Sequence, residues 1–273
     1  MALIEFLHRR VDALANKPLL RGLIQRQARQ AFIANRTQNM FFGIHASWDE
    51  AVAAAHAFGL EGYDNVASAS LYDSRVRKDQ HDYPSLYWLS RSLQEGLKGV
   101  FDVGGAIGIK YLAFGEPLQR FQDLLWRVQD VPAMVAHGRE LSVQRNDNHR
   151  LQFTEHFADG EGLDILFASG VLQYLPRTLG ELLSGYKRLP RRIVINTAAI
   201  HEEREFFTVN SLGTAFCPYR VQTQAGLIRG LTALGYRLRE AWLNPDKSLK
   251  IPYRSEYSLS HYSGYCLDLA SAA

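Results

Sequence analysis

The stretch Val100–Phe114, V-F-D-V-G-G-A-I-G-I-K-Y-L-A-F, sets the narrowest limits on what this chain can become. A short apolar run over Gly99–Val103 reaches an acid, Asp102, and opens at once into Gly104, Gly105 and Gly108. Apolar residues then return at helical spacing, at Ile107, Tyr111, Leu112 and Phe114. This pattern predicts strand, tight glycine turn, helix. Glycine is needed where the backbone takes positive φ and where a ligand must meet bare main chain. The unpaired N–H groups at the helix start would form a polar cradle. An acid on the strand end suits a ligand carrying an amine, because a bare phosphate would be repelled. A β-branched residue at Gly104 is expected to block such a ligand and spare the fold.

Past the turn, two kinds of segment alternate. Strands are expected at Leu124–Val128, Leu151–Phe153, Leu163–Ala168, Arg192–Thr197, Tyr236–Leu243 and Tyr262–Leu269. Helices are expected between them: one opening at Pro132 and stopping at Gly138, one over Leu179–Leu189, and one capped by Thr223 and ending at Gly235. Such alternation predicts an α/β fold, a doubly wound, mostly parallel sheet of seven strands with helices on both faces. In front of it, residues 1–98 read as a helical appendage, leaving 99–273 as the Rossmann-like domain. Ser47 with Glu50 reads as a capping box, opening a helix from Trp48 to about Phe58; Pro84 opens another that stops at Gly96. Residues 1–38 carry Leu3, Phe6, Leu7, Val11 and Leu14 on one face amid many arginines. A basic amphipathic helix can touch an anionic membrane surface; a solvated face over a packed helix is the competing reading.

The D-x-G-G-x-x-G order at Asp102–Gly108 resembles the first motif of class I S-adenosylmethionine-dependent methyltransferases, with Ala106 in place of their middle glycine. The chain also resembles methyltransferases encoded among bacterial polysaccharide and O-antigen genes. Shared segments are F-F-G…S-W-x-E-A at Phe41–Ala51, S-G-V-L-Q-Y-L at Ser169–Leu175, and Y-S-G at Tyr262–Gly264. The resemblance spans roughly residues 39–270. It implies S-adenosylmethionine as cofactor, held by Asp102, Gly104, Gly105 and Gly108. It implies Asp130, 22 residues past Gly108 (130 − 108), as acceptor of the ribose hydroxyls. Glu155 and His156 fall where the family contacts adenine. Ser169 and Gly170, with Gln173 and Tyr174, fall where cofactor and substrate meet.

Methyl transfer to a hydroxyl needs alignment, dehydration and a base near neutral pKa. His201 is the residue chosen for that base, with Glu202 and Tyr174 behind it; an ordinary loop histidine is the competing reading. The acceptor pocket is expected between residues 1–98 and His201–Arg220, with aromatic residues such as Phe41, Phe42 and Trp48 as its roof. The acceptor would be a small molecule or glycan in polysaccharide biosynthesis. No metal site is expected, since His201-Glu202 is not H-E-x-x-H and the other histidines are scattered.

Two other function classes stay open: a catalytically silent scaffold on a cofactor fold, and an NAD(P)-dependent oxidoreductase. The second lacks G-x-G-x-x-G, since Asp102 and Val103 stand where glycines would have to begin. A net charge of +3 argues against nucleic acid as partner. No apolar run reaches the roughly 18 residues of a membrane span. Cys217 and Cys266 alone, far apart, suit a reducing compartment, and the start lacks the order of a signal peptide, so the cytoplasm is expected. Oligomeric state leaves no signal in the sequence.

Overall fold

The computed structural model describes residues 18–59, 62–70, 72–147 and 149–270. The amphipathic face read at Leu3–Leu14 lies outside them. Seven strands form the main sheet. In chain order they are β2 (Gly99–Val103), β3 (Leu125–Gln129), β4 (Leu151–Thr154), β5 (Ile165–Ser169), β6 (Arg192–Ala198), β10 (Tyr236–Asn244) and β11 (Tyr262–Leu269). They stand in the order β10-β11-β6-β5-β2-β3-β4. The five strands β4, β3, β2, β5 and β6 are mutually parallel, and β11 runs antiparallel to both β6 and β10. This is a doubly wound, Rossmann-like sheet. The chain enters at its centre, so the strand order reverses beside β2, and the carboxyl ends of β2, β3 and β5 frame the crevice there.

The central parallel strands β2, β5 and β6 are buried on both faces, as their largely apolar sequences demand, while β3 and β4 leave Arg127, Gln129 and Gln152 half-buried on one face. On one face Val100, Trp126, Phe167 and Val194 meet Leu89 and Leu93 of a helix over Tyr83–Gln94, and Tyr111 and Phe114 of a helix over Ile109–Phe114. On the other, Phe101, Val103, Leu166, Ile193 and Ile195 pack on Leu179, Leu183, Leu227 and Leu231. Those last residues sit on the helices Leu179–Leu183 and Gln224–Thr232. Thr223 caps the second of these, accepting from the Gly226 N–H at 3.1 Å. The first stops at Leu183, well short of the expected Leu189.

Gly138 does not end its helix as expected; the helix runs over Pro132–Gln144. The glycine has a packing purpose instead. A Cβ there would stand 2.3 Å from the Phe153 ring, so its absence lets the helix lie against β4.

The front segment is not wholly helical either. Met40–His45 forms β1, which pairs antiparallel with β8 (Phe206–Ser211), Met40 opposite Ser211 and Phe42 opposite Val209. With β9 (Phe216–Thr223) and β7 (Ile200–His201), they build a second sheet of order β1-β8-β9-β7. Three of these strands come from the segment after β6. Gly213, at φ +86 between β8 and β9, lets the turn meet the main chain of Arg36, whose oxygen would be 2.3 Å from a Cβ. Phe41 meets Tyr219 edge to face at 5.0 Å between ring centres. On the opposite face of this sheet Trp48 meets Phe207 at 6.4 Å, opening the helix Trp48–His56. Ser47 caps that helix through the Glu50 N–H (3.2 Å), while the Glu50 carboxylate accepts from Ala46 N–H (2.9 Å).

Candidate functional site

The turn after β2 is a left-handed one. Gly104 has φ +64, Ala106 +52 and Gly108 +84. Ala106 therefore occupies a conformation that costs an L-residue roughly 1–2 kcal/mol. One observation accounts for its being held there: the Ala106 N–H donates to Asp130 Oδ2 at 2.7 Å. The Val131 N–H donates to Asp130 Oδ1 at 2.8 Å. Asp130, at the end of β3, thus ties the glycine turn to the start of the next helix. It is 7% exposed, and burial raises its pKa from 3.8 to about 6.

Gly104 does not face open space. A Cβ there would lie 2.2 Å from Val171 Cγ2, so the turn is packed against the loop after β5. The expectation that a larger residue would leave the fold intact is corrected accordingly.

Asp102 is placed otherwise than expected. Its carboxyl is 1% exposed, lies beneath Gly105 (a Cβ there would be 2.4 Å from Oδ2), and accepts from Trp126 Nε1–H at 3.0 Å. It shapes the turn from below and does not open toward solvent to take an amine. Burial is the main cause that lifts its pKa from 3.8 to about 7; the nearby Asp130 charge adds to this, and the Trp126 bond and Lys110 oppose it. A folded-state pKa above the unfolded one means the native chain holds its proton longer. The stability this contributes is complete below about pH 4 and is lost as pH rises toward 7. Urea unfolding of wild type and Asp102→Asn is therefore expected to show a steeper decline between pH 4 and 7 in wild type than in the variant, which keeps only the share that Asp130 contributes. Parallel profiles would contradict it.

At the end of β5, Gly170 (φ +73) follows Ser169, whose Oγ lies 3.5 Å from Thr197 Oγ1. Thr197 itself has φ +49, an outlier for a β-branched residue. Gln173 Nε2 donates to the Thr197 carbonyl at 3.4 Å, while its Oε1 is buried with no hydrogen-bond partner. Tyr174 donates its hydroxyl to Asn210 Oδ1 at 2.8 Å and stands perpendicular to Tyr219. Burial holds its pKa well above 10. The loop after β5 is thereby fastened to the second sheet.

Glu155 and His156 follow β4 and line a cleft of about 520 Å³ at the sheet edge, with Arg127, Arg139, Gln152 and Asp159. Both are exposed, and the His156 N–H donates to Thr154 Oγ1 at 3.1 Å.

His201 is not aimed at this crevice. Its Nδ1 accepts the N–H groups of Glu203 (3.0 Å) and Arg204 (3.1 Å), and Nε2 lies 3.0 Å from the Glu256 carbonyl. Both ring nitrogens are used up in a surface turn, and Glu202 beside it is exposed. Its position after β6 points to the strand ends, but the second sheet carries it away.

Two tyrosines that sequence reasoning misses sit where His201 does not. Tyr63 and Tyr72 are hydrogen-bonded to each other, edge to face at 6.1 Å, beside Asp130, with Tyr174 close to both. Burial pushes both phenols above 10. Their segment is pinned over the strand ends. Asp64 Oδ1 accepts from Ala133 N–H at 2.8 Å, Asp73 meets His137 Nε2 at 2.8 Å, and Ala69 packs with Ala106, Ile107 and Met134. The one local signal is Asn65, whose side chain caps Ser68 N–H at 2.8 Å and starts the short helix between the two rings.

The left-handed turn at Gly104–Gly108 and the Asp130 carboxylate thus stand together at the strand ends where the strand order reverses. Among the described residues no helix is long and apolar enough to cross a membrane.

The sequence matches no protein-family model and no curated protein. Among solved structures, the chain is similar to the 1,6-didemethyltoxoflavin-N1-methyltransferase of Burkholderia thailandensis, solved with 1,6-didemethyltoxoflavin and S-adenosylhomocysteine. Identity is 17%, coverage 84% of this chain and 92% of that one, TM-score 0.49. The magnesium protoporphyrin IX methyltransferase of Synechocystis PCC 6803, with bound S-adenosylhomocysteine, is 13% identical over 76% and 96%, TM-score 0.46. The cyclase SpnF is 13% identical over 67% and 80%, TM-score 0.45. At such identities and scores nothing about reaction or ligand passes from them to this chain.

Proposed function

We propose that the chain is an S-adenosylmethionine-dependent methyltransferase acting on a hydroxyl of a small or sugar-containing acceptor in polysaccharide biosynthesis. The observation that carries this is the joint placement of the D-x-G-G-x-x-G turn and Asp130 at the point where the strand order reverses, where open α/β sheets bind nucleotides. When bound there, the cofactor supplies a methyl group on a sulfonium with a good leaving group.

The chain's own residues then have distinct tasks. Asp130 accepts the ribose hydroxyls while keeping its two backbone donors; Gly104, Gly105 and Gly108 shape the packed turn that borders the cofactor; Ser169 and Gly170 border the methionine end. Glu155 and His156 border the adenine end. Tyr63, Tyr72 and Tyr174 stay protonated at neutral pH and exclude water; Tyr174 donates to Asn210 and Tyr63 to Tyr72, which leaves the Tyr72 hydroxyl as the neutral donor that orients the acceptor. They do not serve as bases. His201 and Glu202 are committed to their turn, so as the C–O bond forms and the C–S bond breaks the hydroxyl proton leaves to solvent, which suits an acidic hydroxyl such as a phenol's.

Incubation with methyl-labelled S-adenosylmethionine and a panel of hydroxylated sugars and phenols tests the reaction. Label in an acceptor, lost in Tyr72→Phe more than in Tyr174→Phe, is the expected result. Tight cofactor binding with no acceptor labelled across the panel would favour the silent scaffold.

A further inference from the structure

We infer that Asp79, His81 and Asp82 form a site for a single divalent cation, with Zn²⁺ or Mn²⁺ the ions its donors suit. The three lie in the turn that opens the helix Tyr83–Gln94, and one ligand atom from each lies within 4.8 Å of the others. His81 is 8% exposed and Asp82 1%.

The orientation of the imidazole is what points to an ion. His81 Nδ1 lies 2.6 Å from Asp246 Oδ2, a distance that places the proton on Nδ1. In the neutral imidazole Nε2 then carries the lone pair, and among the described residues it makes no hydrogen bond. It faces Asp82 Oδ1 at 3.8 Å and Asp79 Oδ2 at 4.0 Å. These three atoms converge without touching one another, with the Lys110 ammonium 2.7 Å from Asp82 Oδ1 on one side. Ligands about 2.0–2.2 Å from one cation stand up to roughly 4 Å apart, which matches the separation of Nε2 from each carboxylate.

Each candidate ligand also has an outer partner that fixes it. Asp246 holds His81, Arg77 Nε lies 3.1 Å from Asp79 Oδ1, and Lys110 Nζ lies 2.7 Å from either oxygen of Asp82. The Asp79 N–H donates to Asp82 Oδ2 at 2.9 Å as well. Carboxylate–histidine–metal arrangements with hydrogen-bonded carboxylate ligands are built this way. One imidazole and two carboxylates favour a first-row divalent ion over Mg²⁺ or Ca²⁺, which take oxygen alone. This departs from the expectation of no metal site; the histidine is solitary in sequence, and Asp246 reaches it only through the fold.

The place of the site gives the ion a task. Asn196 Nδ2 donates to the His81 carbonyl at 3.0 Å, Asp246 follows β10, and Lys110 comes two residues after Gly108. An ion here would rigidify the turn that Asn196, Asp246 and Lys110 fasten beside the glycine turn, as a structural metal outside the reacting centre.

Calorimetric titration of the chelator-treated full chain with ZnCl₂ and with MnCl₂, at neutral pH, tests this. A single equivalent should bind with one of them. Asp246→Asn should weaken it about 10–100-fold, as outer-partner changes do. His81→Ala should abolish it, and Asp79→Asn, at a half-buried position, serves the same purpose if His81→Ala does not fold. Folded wild type that takes up neither ion overturns the inference, with the gap then filled by a proton on His81. Binding equally strong in His81→Ala and Asp79→Asn overturns it too. The readout is metal uptake, so it stands or falls independently of methyl transfer.

Discussion

Asp130→Ala is expected to weaken S-adenosylhomocysteine binding by roughly 10- to 150-fold, the equivalent of about 1.5–3 kcal/mol for hydrogen bonds to a charged acceptor. Two consequences add. The ribose hydroxyls lose their carboxylate, and the N–H of Ala106 loses the bond at 2.7 Å that holds a left-handed alanine in the turn. Asp130→Asn separates them, since an amide oxygen can accept from one backbone donor but not from both. Its affinity should fall between wild type and alanine. Calorimetry on each variant, with thermal unfolding alongside, provides the check. Unchanged affinity in a folded Asp130→Ala protein would remove the ribose site from this carboxylate.

Gly104→Val should destabilise the protein outright. The new Cβ would stand 2.2 Å from Val171 Cγ2, and φ is +64. Overpacking costs about 1–3 kcal/mol and a left-handed L-residue about 1–2 more. The two together imply a fall in Tm on the order of 10 °C for a chain of this size. Val171→Ala relieves only the contact, so the double variant should recover part of the loss and keep the backbone share. A Tm for Gly104→Val within about 2 °C of wild type would mean that the turn is not packed against the β5 loop.

Much of the main sheet is legible in the sequence because its signals are local. The apolar runs at Gly99–Val103 and Arg192–Thr197, the glycine turn, and Thr223 as a cap each declare themselves within a few residues. The second sheet is not legible, because it rests on pairing across the whole chain. Met40 opposite Ser211 is a contact that neither segment announces alone, and Gly43 disguises the first strand. The same distance effect misplaces His201: its position after β6 is readable, but not the sheet that turns it to the surface. Asp102 can be seen as an acid on a strand end, yet only Trp126, whose Nε1–H reaches it from the neighbouring strand, shows that the carboxyl faces inward. Gly138 reads as a stop because helix propensity is visible in sequence and the Phe153 ring beneath it is not. Tyr63 and Tyr72 carry no periodic signal at all, and become a pair only when Asp64 and Asp73 fasten their segment above Asp130.

Whether the glycine turn and Asp130 hold S-adenosylmethionine is tested most directly by calorimetric titration of the full chain with S-adenosylmethionine, S-adenosylhomocysteine and NAD, one at a time. The predicted result is one equivalent of each sulfur nucleoside, bound at micromolar or tighter Kd, and no heat from NAD. Binding of NAD with neither sulfur nucleoside would contradict it.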